Sequence, residues 1–497
     1  MEKIRESFRI NFDSAILKLA AAFAGSFVIY ILAFTLPANL LKFYSVIHLD
    51  GHLLHDAGFP AYLRMVLAFI GLALFYVVGL RAANQTKSKG AWIIVIAGTL
   101  AFTLVLLFMA PFDALDIYDN IFRGRIIGIY GGNPFRQTIA DFPNDPFFNY
   151  PAWKTLTSAY GPVWEMLAGL TARLAGNGIV ANVLAFKLLP GIFHLASVAA
   201  IVMFLRRTAP DHALSGALLL GWNPVVLYET WGNGHNDMAM VFWILLAAVL
   251  VSRKRYTLAT LSLVAGMLVK FIPVLLIPAA LLIGYRSLEK LRPRLWFISK
   301  TSFAALLLAA IAYLPFWNGF ASFSIGQRMQ MFTTSIPAII YRLLTPTLGV
   351  SESEQLVSLG ALGLLVVFSL YQSFRMKNQD LPHNFTSTAF SILAFYLMVT
   401  CLWFQQWYSL WLIGLAPLLS ELNRRLALVF GFWVLSKQFV FGALIVPYMT
   451  AHPETAIWLE PLLTITILGI PWIVALLNFR ISRKAAAQRS LLSVIVP

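Results

Sequence analysis

Asp116, Asp119, Asn120 and Arg123 sit at i, i+3, i+4 and i+7, the spacing that gathers side chains onto one face of a helix. Leu115, Tyr118, Phe122, Ile126 and Ile129 fall on another face, so the pattern predicts a helix over 115–129 lying at a membrane surface with carboxylates along one side. Gly131 and Gly132 would end it, and Pro134 forbids its continuation. Carboxylates in such a place ordinarily solvate the helix, with Asp113 capping it. Crowded against apolar surface, one of them can instead be desolvated enough to act as a general base.

A second cluster, Glu229, Trp231, Asn233, His235, Asn236 and Asp237, packs six polar or aromatic groups into one turn. As an ordinary turn it would simply place Asp237 at a helix N-terminus, but its density suits a site lining. Lys270 lies inside an apolar run broken by KFIP; an ionisable group at membrane depth is paired or lines a polar cavity, and a cation there suits phosphate. Lys187, Lys437 and Glu165 also lie near the bilayer, and Lys270 differs from them only in its helix-breaking neighbours. Arg123 and Arg125 are alternative phosphate ligands, with the forked guanidinium that contacts phosphate bidentately. His48, His52 and His55 with Asp50 and Asp56 crowd the first outer loop, but follow no strict metal-ligand pattern. Aromatic residues abound, among them Trp153, Tyr160, Trp164, Trp403, Trp407, Tyr408 and Trp411. They are expected in an interfacial belt, and their flat faces also suit sugar rings.

The elements that must position these groups are transmembrane helices. Of 497 residues 59% are hydrophobic and 12% charged, a balance that implies an all-α, polytopic integral membrane protein. The net charge of +16 points to cytoplasmic loops rather than nucleic acid. The single cysteine, Cys401, excludes an intrachain disulfide and a cysteine metal cluster. A basic N-terminus followed by a long apolar run predicts a retained first helix rather than a cleaved signal. Expected spans centre on 15–36, 61–80, 91–111, 178–205, 214–230, 237–252, 297–317, 355–374, 386–402, 407–421, 426–447 and 457–478, about twelve with a range of 11–14. The large outer loop is 112–161 with its juxtamembrane helix, and 257–285 is expected as a broken or re-entrant hairpin. The chain shows no internal repeat or separate soluble domain and forms one unit over 1–497. Placing both termini in the cytoplasm puts about 25 of the 37 basic residues on that side. Asp116, the 229–237 turn, the 317–354 loop and the WFQQWY turn at Trp403 then share the outer face of the cell membrane.

Taken together, DIY at Asp116, the RGR helix, GGNPF, Trp153, YGP at Tyr160, NGHND at 233–237 and KFIP at Lys270 resemble bacterial GT-C glycosyltransferases that use polyprenyl-phosphate sugars. The polyprenol-phosphate-mannose-dependent alpha-mannosyltransferases are the most similar, over roughly 90–285. The resemblance implies a GT-C fold, a lipid-linked donor and inverting transfer. The family aspartate corresponds to Asp116, with Asp119 an extra carboxylate; the family's histidine turn corresponds to His235, Asn236 and Asp237. Phe135 stands where the family usually has tyrosine in Asn-Pro-Tyr, which removes a hydroxyl.

One base and one phosphate clamp suffice for such a transfer. A carboxylate takes the acceptor proton, and a leaving phosphate needs cationic stabilisation more than an acid. The expected catalytic set is Asp116 and Asp119, the donor-phosphate set Arg123, Arg125 and Lys270. The substrate-binding set is Tyr160, His235, Asn236, Asp237, Glu229, Trp153 and Gln405. No cofactor is called for, although the spacing is compatible with a divalent metal. The expected partners are a polyprenyl-phosphate sugar donor, a glycan or lipid-linked acceptor and the lipid bilayer, with no nucleic acid. Two rivals stand beside mannose transfer: the same fold moving arabinose, glucose or an oligosaccharide, and a secondary transporter.

Overall fold

The computed structural model describes residues 14–42, 58–111, 115–320, 322, 331–377, 379–438, 448, 451, 452 and 456–495. Asp113, and the His48, His52, His55, Asp50 and Asp56 cluster, lie outside the described residues. In chain order the principal helices are α1 (Ser14–Ile29), α2 (Gly58–Ala83), α3 (Lys89–Leu107), α4 (Asp116–Gly128), α5 (Pro162–Ala175), α6 (Ile179–Thr208), α7 (Ala213–Gly221) and α8 (Asp237–Ser252). They continue with α9 (Tyr256–Met267), α10 (Ile277–Arg286), α11 (Leu291–Tyr313), α12 (Ile336–Leu348), α13 (Val350–Arg375), α14 (Leu381–Phe395), α15 (Glu421–Val434) and α16 (Ala456–Ile495).

Among the described residues seven helices are long and apolar enough to cross a bilayer: Ser14–Thr35, Gly58–Ala83, Lys89–Leu107, Ile179–Thr208, Leu291–Phe316, Val350–Arg375 and Pro461–Ile481. The protein is an all-α polytopic membrane protein. Several other expected spans are interrupted helices. After α7, the Asn223 side chain accepts hydrogen bonds from the N–H groups of Val225 and Val226 and, with Pro224 behind it, restarts the helix on a new axis. The 386–402 segment leaves α14 through a wider turn at Tyr396–Thr400, and 407–421 forms only the short helix Leu410–Leu415 between tighter turns. Residues 257–285 form α9 and α10, packed on each other and joined through an irregular stretch holding Lys270.

The helix bearing Asp116 forms close to the expected bounds. Every residue from Ile117 to Ile126 on α4 is buried, the polar face included, so that face meets protein instead of solvent. The cause is its neighbours: α5 and α6 pack against it, and the loop after it folds back over its carboxylates. Close approach of α5 depends on Gly128, where an added Cβ would lie 2.2 Å from the Gly169 carbonyl oxygen. Upstream, Lys187 on α6 is fully buried and its Nζ donates to the carbonyls of Leu106 at 2.7 Å, Leu107 at 2.9 Å and Met109 at 2.5 Å. These carbonyls lie at and just past the C-terminus of α3, where a helix runs short of its own donors and a side-chain ammonium or amine can supply them.

Gly128→Val is expected to force α4 off α5 and to cost about 1–3 kcal/mol, the usual range for overpacking. A thermal-stability comparison in detergent would read this as a lowered midpoint, and an unchanged midpoint would show that the two helices are not held by that contact.

Candidate functional site

Four pieces of chain meet at a small polar cavity. The first turns of α4 supply Asp116, Asp119 and Arg123, the following loop Trp153 and Tyr160, the α9–α10 break Lys270, and the 403–408 turn Trp403, Trp407 and Tyr408.

Asp116 opens α4, with a side chain 20% exposed. Asp119, one turn on, is buried and already engaged: its carboxylate accepts the backbone N–H of Trp153 at 3.0 Å and of Ala152 at 3.3 Å. Asp119 thus pins the loop that closes the cavity, whereas Asp116 faces into it. Asn120 ties the helix to α5, accepting from the Trp164 indole at 2.9 Å.

The two arginines separate. Arg125 turns away into a closed network, bonded to Asp145 at 2.8 Å, to the Gly176 carbonyl and to Asn177, with its guanidinium over Phe147. Arg123 lines the cavity, and its buried Nε has no hydrogen-bond partner among the described residues. A buried guanidinium with unspent donors is suited to an incoming anion.

The 229–237 turn is pressed against α4. Gly234 has φ of +78°, and a Cβ there would sit 2.6 Å from Ile117 Cδ1, so both conformation and space require glycine. This brings His235 Nδ1 to 4.0 Å from Asp116 Oδ2 and His235 Nε2 to 3.3 Å from Glu229 Oε2. The ring stacks on Trp407 at 4.0 Å. Burial, reinforced by the charge of Lys270, pushes the imidazole well below its ordinary pKa, so the ring is neutral. Asn236 precedes α8, buried, its Nδ2 without a partner among the described residues. Asp237 Oδ1 accepts from Lys270 Nζ and from the Trp411 indole, both at 2.6 Å.

Lys270 is held by backbone as well as by charge. The N–H groups of Gly161 and Val163, at the start of α5, donate to the carbonyls of Val269 and Leu268. The helix thereby gains caps from the break, and Tyr160 is set near Lys270. The ammonium also lies 4.9 Å from the ring centre of Tyr408 and 5.5 Å from that of Trp411. Gln405 is turned elsewhere, its Oε1 accepting from Lys437 at 3.0 Å. Among the described residues no group of three or more His, Cys, Asp or Glu is arranged to hold a metal ion.

The cavity shares Lys270, Trp403 and Tyr408 with an apolar groove of about 320 Å³, lined also by Ile272, Val274 and Leu275 and by Ala361, Leu362 and Leu365 of α13. No motif marks this groove in the sequence, because α13 reads as an ordinary span. Phe135 packs against Tyr313 and Phe316, an aromatic contact that uses no hydroxyl. Glu165, singled out in the sequence only as a charge near the bilayer, is fully buried on α5 with Oε1 accepting from the Ser158 hydroxyl.

A family model described as alpha-(1->6)-mannopyranosyltransferase, N-terminal domain, matches residues 19–286, over half of the chain. The alpha-(1->6)-mannopyranosyltransferase A of Mycobacterium tuberculosis is 23% identical over 393 residues, 75% of this chain and 72% of that protein. The protein of the same name from Corynebacterium glutamicum is 24% identical over 186 residues, and the match spans only 37% of each chain.

Burial pushes the Glu165 carboxyl up from 4.5 to about 7, against the opposing pull of the Ser158 hydrogen bond and the Arg123 charge. Between those pH values the folded chain holds a proton that the unfolded chain has released. The site's contribution to stability is therefore complete below pH 4.5 and lost as pH rises through 7. Replacing Glu165 by Gln is expected to flatten this dependence by on the order of 3 kcal/mol. Unfolding midpoints of both proteins from pH 5 to 8 provide the check, and parallel curves would contradict it.

Proposed function

The chain belongs to the alpha-(1->6)-mannopyranosyltransferase family, and on that premise we propose that it transfers mannose from a polyprenyl-phosphate donor to an acceptor hydroxyl. The acceptor is a glycan or a lipid-linked glycan, the transfer inverts the anomeric centre, and it takes place on the non-cytoplasmic face. A beta-linked donor then gives an alpha-mannoside, the linkage class in the names of the two relatives.

One observation carries the reading: a polar cavity lined by Asp116, Arg123 and Lys270 shares Lys270, Trp403 and Tyr408 with an apolar groove. That is the shape of a molecule with a phosphate head and a hydrocarbon tail. With the tail in the groove, the phosphate sits by Lys270 and Arg123, and the sugar projects toward Asp116 between Trp153, Trp403 and Trp407. Asp116 takes the proton of the attacking hydroxyl. As the bond between the anomeric carbon and the phosphate oxygen breaks, the second negative charge on the leaving phosphate is met by the two cations. Asp119 acts at one remove, holding Trp153 in place. The outer-face location is supported by the concentration of basic residues in the loops assigned to the cytoplasm.

Asp116→Asn is expected to reduce transfer roughly 10²–10⁴-fold, the range of general-base catalysis, in membranes supplied with labelled polyprenyl-phosphate mannose and an alpha-mannoside acceptor. Full retained activity would remove Asp116 as the base. Lys270→Met and Arg123→Ala should each raise the donor KM roughly tenfold or more while changing the acceptor KM little; the reverse pattern would remove them from the phosphate. Accumulation of free solute in reconstituted vesicles, with no glycoside formed, would mark a transporter instead.

A further inference from the structure

Glu165 stands in the first turn of α5, fully buried, and takes no part in the transfer chemistry described above. Its Oε1 accepts from the Ser158 hydroxyl, and its Oε2 has no hydrogen-bond partner among the described residues. Burying a carboxyl with one oxygen unpaired costs free energy that a leucine of similar size would not, so its contribution is to be sought in what it holds. Ser158 Oγ accepts the backbone N–H of Tyr160 at 3.1 Å, while the Ser158 N–H donates to the Pro134 carbonyl at 2.8 Å. Beyond Tyr160 the same turn reaches the Lys270 break: the Gly161 N–H donates to the Val269 carbonyl at 2.9 Å and the Val163 N–H to the Leu268 carbonyl at 3.0 Å. The two stretches of backbone touch so closely that a Cβ on Gly161 would lie 2.1 Å from the Leu268 carbonyl oxygen. Tyr160 lines the cavity, its ring centre 5.8 Å from Lys270 Nζ.

We propose that Glu165 is a positioning residue for Lys270, acting through Ser158 and the 160–163 turn. The inference rests on Lys270 being a ligand of the donor phosphate. Asp237 fixes the ammonium end of the lysine; the turn fixes its backbone end, through the carbonyls of the two residues that precede it. When the Ser158 hydroxyl loses its acceptor, the 158–160 segment is free to shift, and the N–H groups of Gly161 and Val163 shift with it. A displacement of about 1 Å at Lys270 is enough to lose a charge-assisted hydrogen bond to phosphate. Glu165 therefore governs how tightly the donor is held and leaves the proton transfer at Asp116 alone. Neither Glu165 nor Ser158 touches a reacting atom.

The test is steady-state transfer of labelled polyprenyl-phosphate mannose to an alpha-mannoside by the full-length protein in lipid nanodiscs. Ser158→Ala and Glu165→Leu are each expected to raise the donor KM roughly threefold to tenfold, the effect of one lost hydrogen bond, with the acceptor KM unchanged. Because Glu165 acts through Ser158, the double variant should be no worse than the more affected single one. Glu165→Gln, which keeps an acceptor oxygen, should recover most of what Glu165→Leu loses. On a Lys270→Met background neither substitution should raise the donor KM further, whereas a merely structural defect would persist there. If Glu165→Leu does not fold, Ser158→Ala on the two backgrounds decides alone. The proposal is overturned if Ser158→Ala keeps the donor KM of the unmodified chain, if the acceptor KM rises as much as the donor KM, if the loss survives in Lys270→Met, or if Glu165→Gln is as impaired as Glu165→Leu. Failure of the underlying reading is seen separately: an unchanged donor KM in Lys270→Met removes that lysine from the phosphate, whereas a raised one beside an unaffected Ser158→Ala removes only the role of Glu165.

Discussion

One carboxylate oxygen, Oδ1 of Asp237, accepts from Lys270 and from Trp411 at the same distance, and through it three segments are joined. Asp237 opens α8, Lys270 belongs to the break between α9 and α10, and Trp411 belongs to the short helix after the 403–408 turn. Taking a carboxylate and an ammonium out of water costs several kcal/mol each, which their attraction offsets only when geometry and supporting hydrogen bonds are good. Here the indole and the surrounding aromatic rings supply that support. Each partner is stranded if the other is removed.

Several polar groups at or beside the site sit where helices stop. Asn223 ends one helix and starts the next, the wide turn at Tyr228–Gly232 carries Glu229, and the α9–α10 break carries Lys270. In a bilayer, unpaired backbone is tolerated only where protein or a wet cavity satisfies it. The broken helices therefore have to face one another, and the site forms at their meeting point. The capping of α5 by the carbonyls of Leu268 and Val269 is a direct instance: one helix start and one helix break complete each other's hydrogen bonding.

Much of this was legible in the residues themselves. The spacing of Asp116, Asp119 and Arg123, the density of the 229–237 turn and the cost of a lysine in an apolar run pointed to three of the segments that line or adjoin the cavity. What could not be read was direction. Periodicity places Arg123 and Arg125 two positions apart, yet only tertiary contacts with Asp145 and Asn177 explain why Arg125 faces inward to a closed network. Gln405 likewise depends on Lys437, 32 positions away. Periodicity also gave α4 a solvated face, because a one-dimensional pattern does not register a loop that returns 33 residues later to cover it. The apolar groove is invisible for a related reason: greasy residues facing a cleft and greasy residues facing lipid have the same composition.

The capping of α3 by Lys187 joins segments far apart in the chain. The carbonyls of Leu106, Leu107 and Met109 are synthesised about 80 positions before the cation that satisfies them, and in hydrocarbon neither partner is well solvated alone. In the folded protein the end of α3 and α6 are thereby tied to one another.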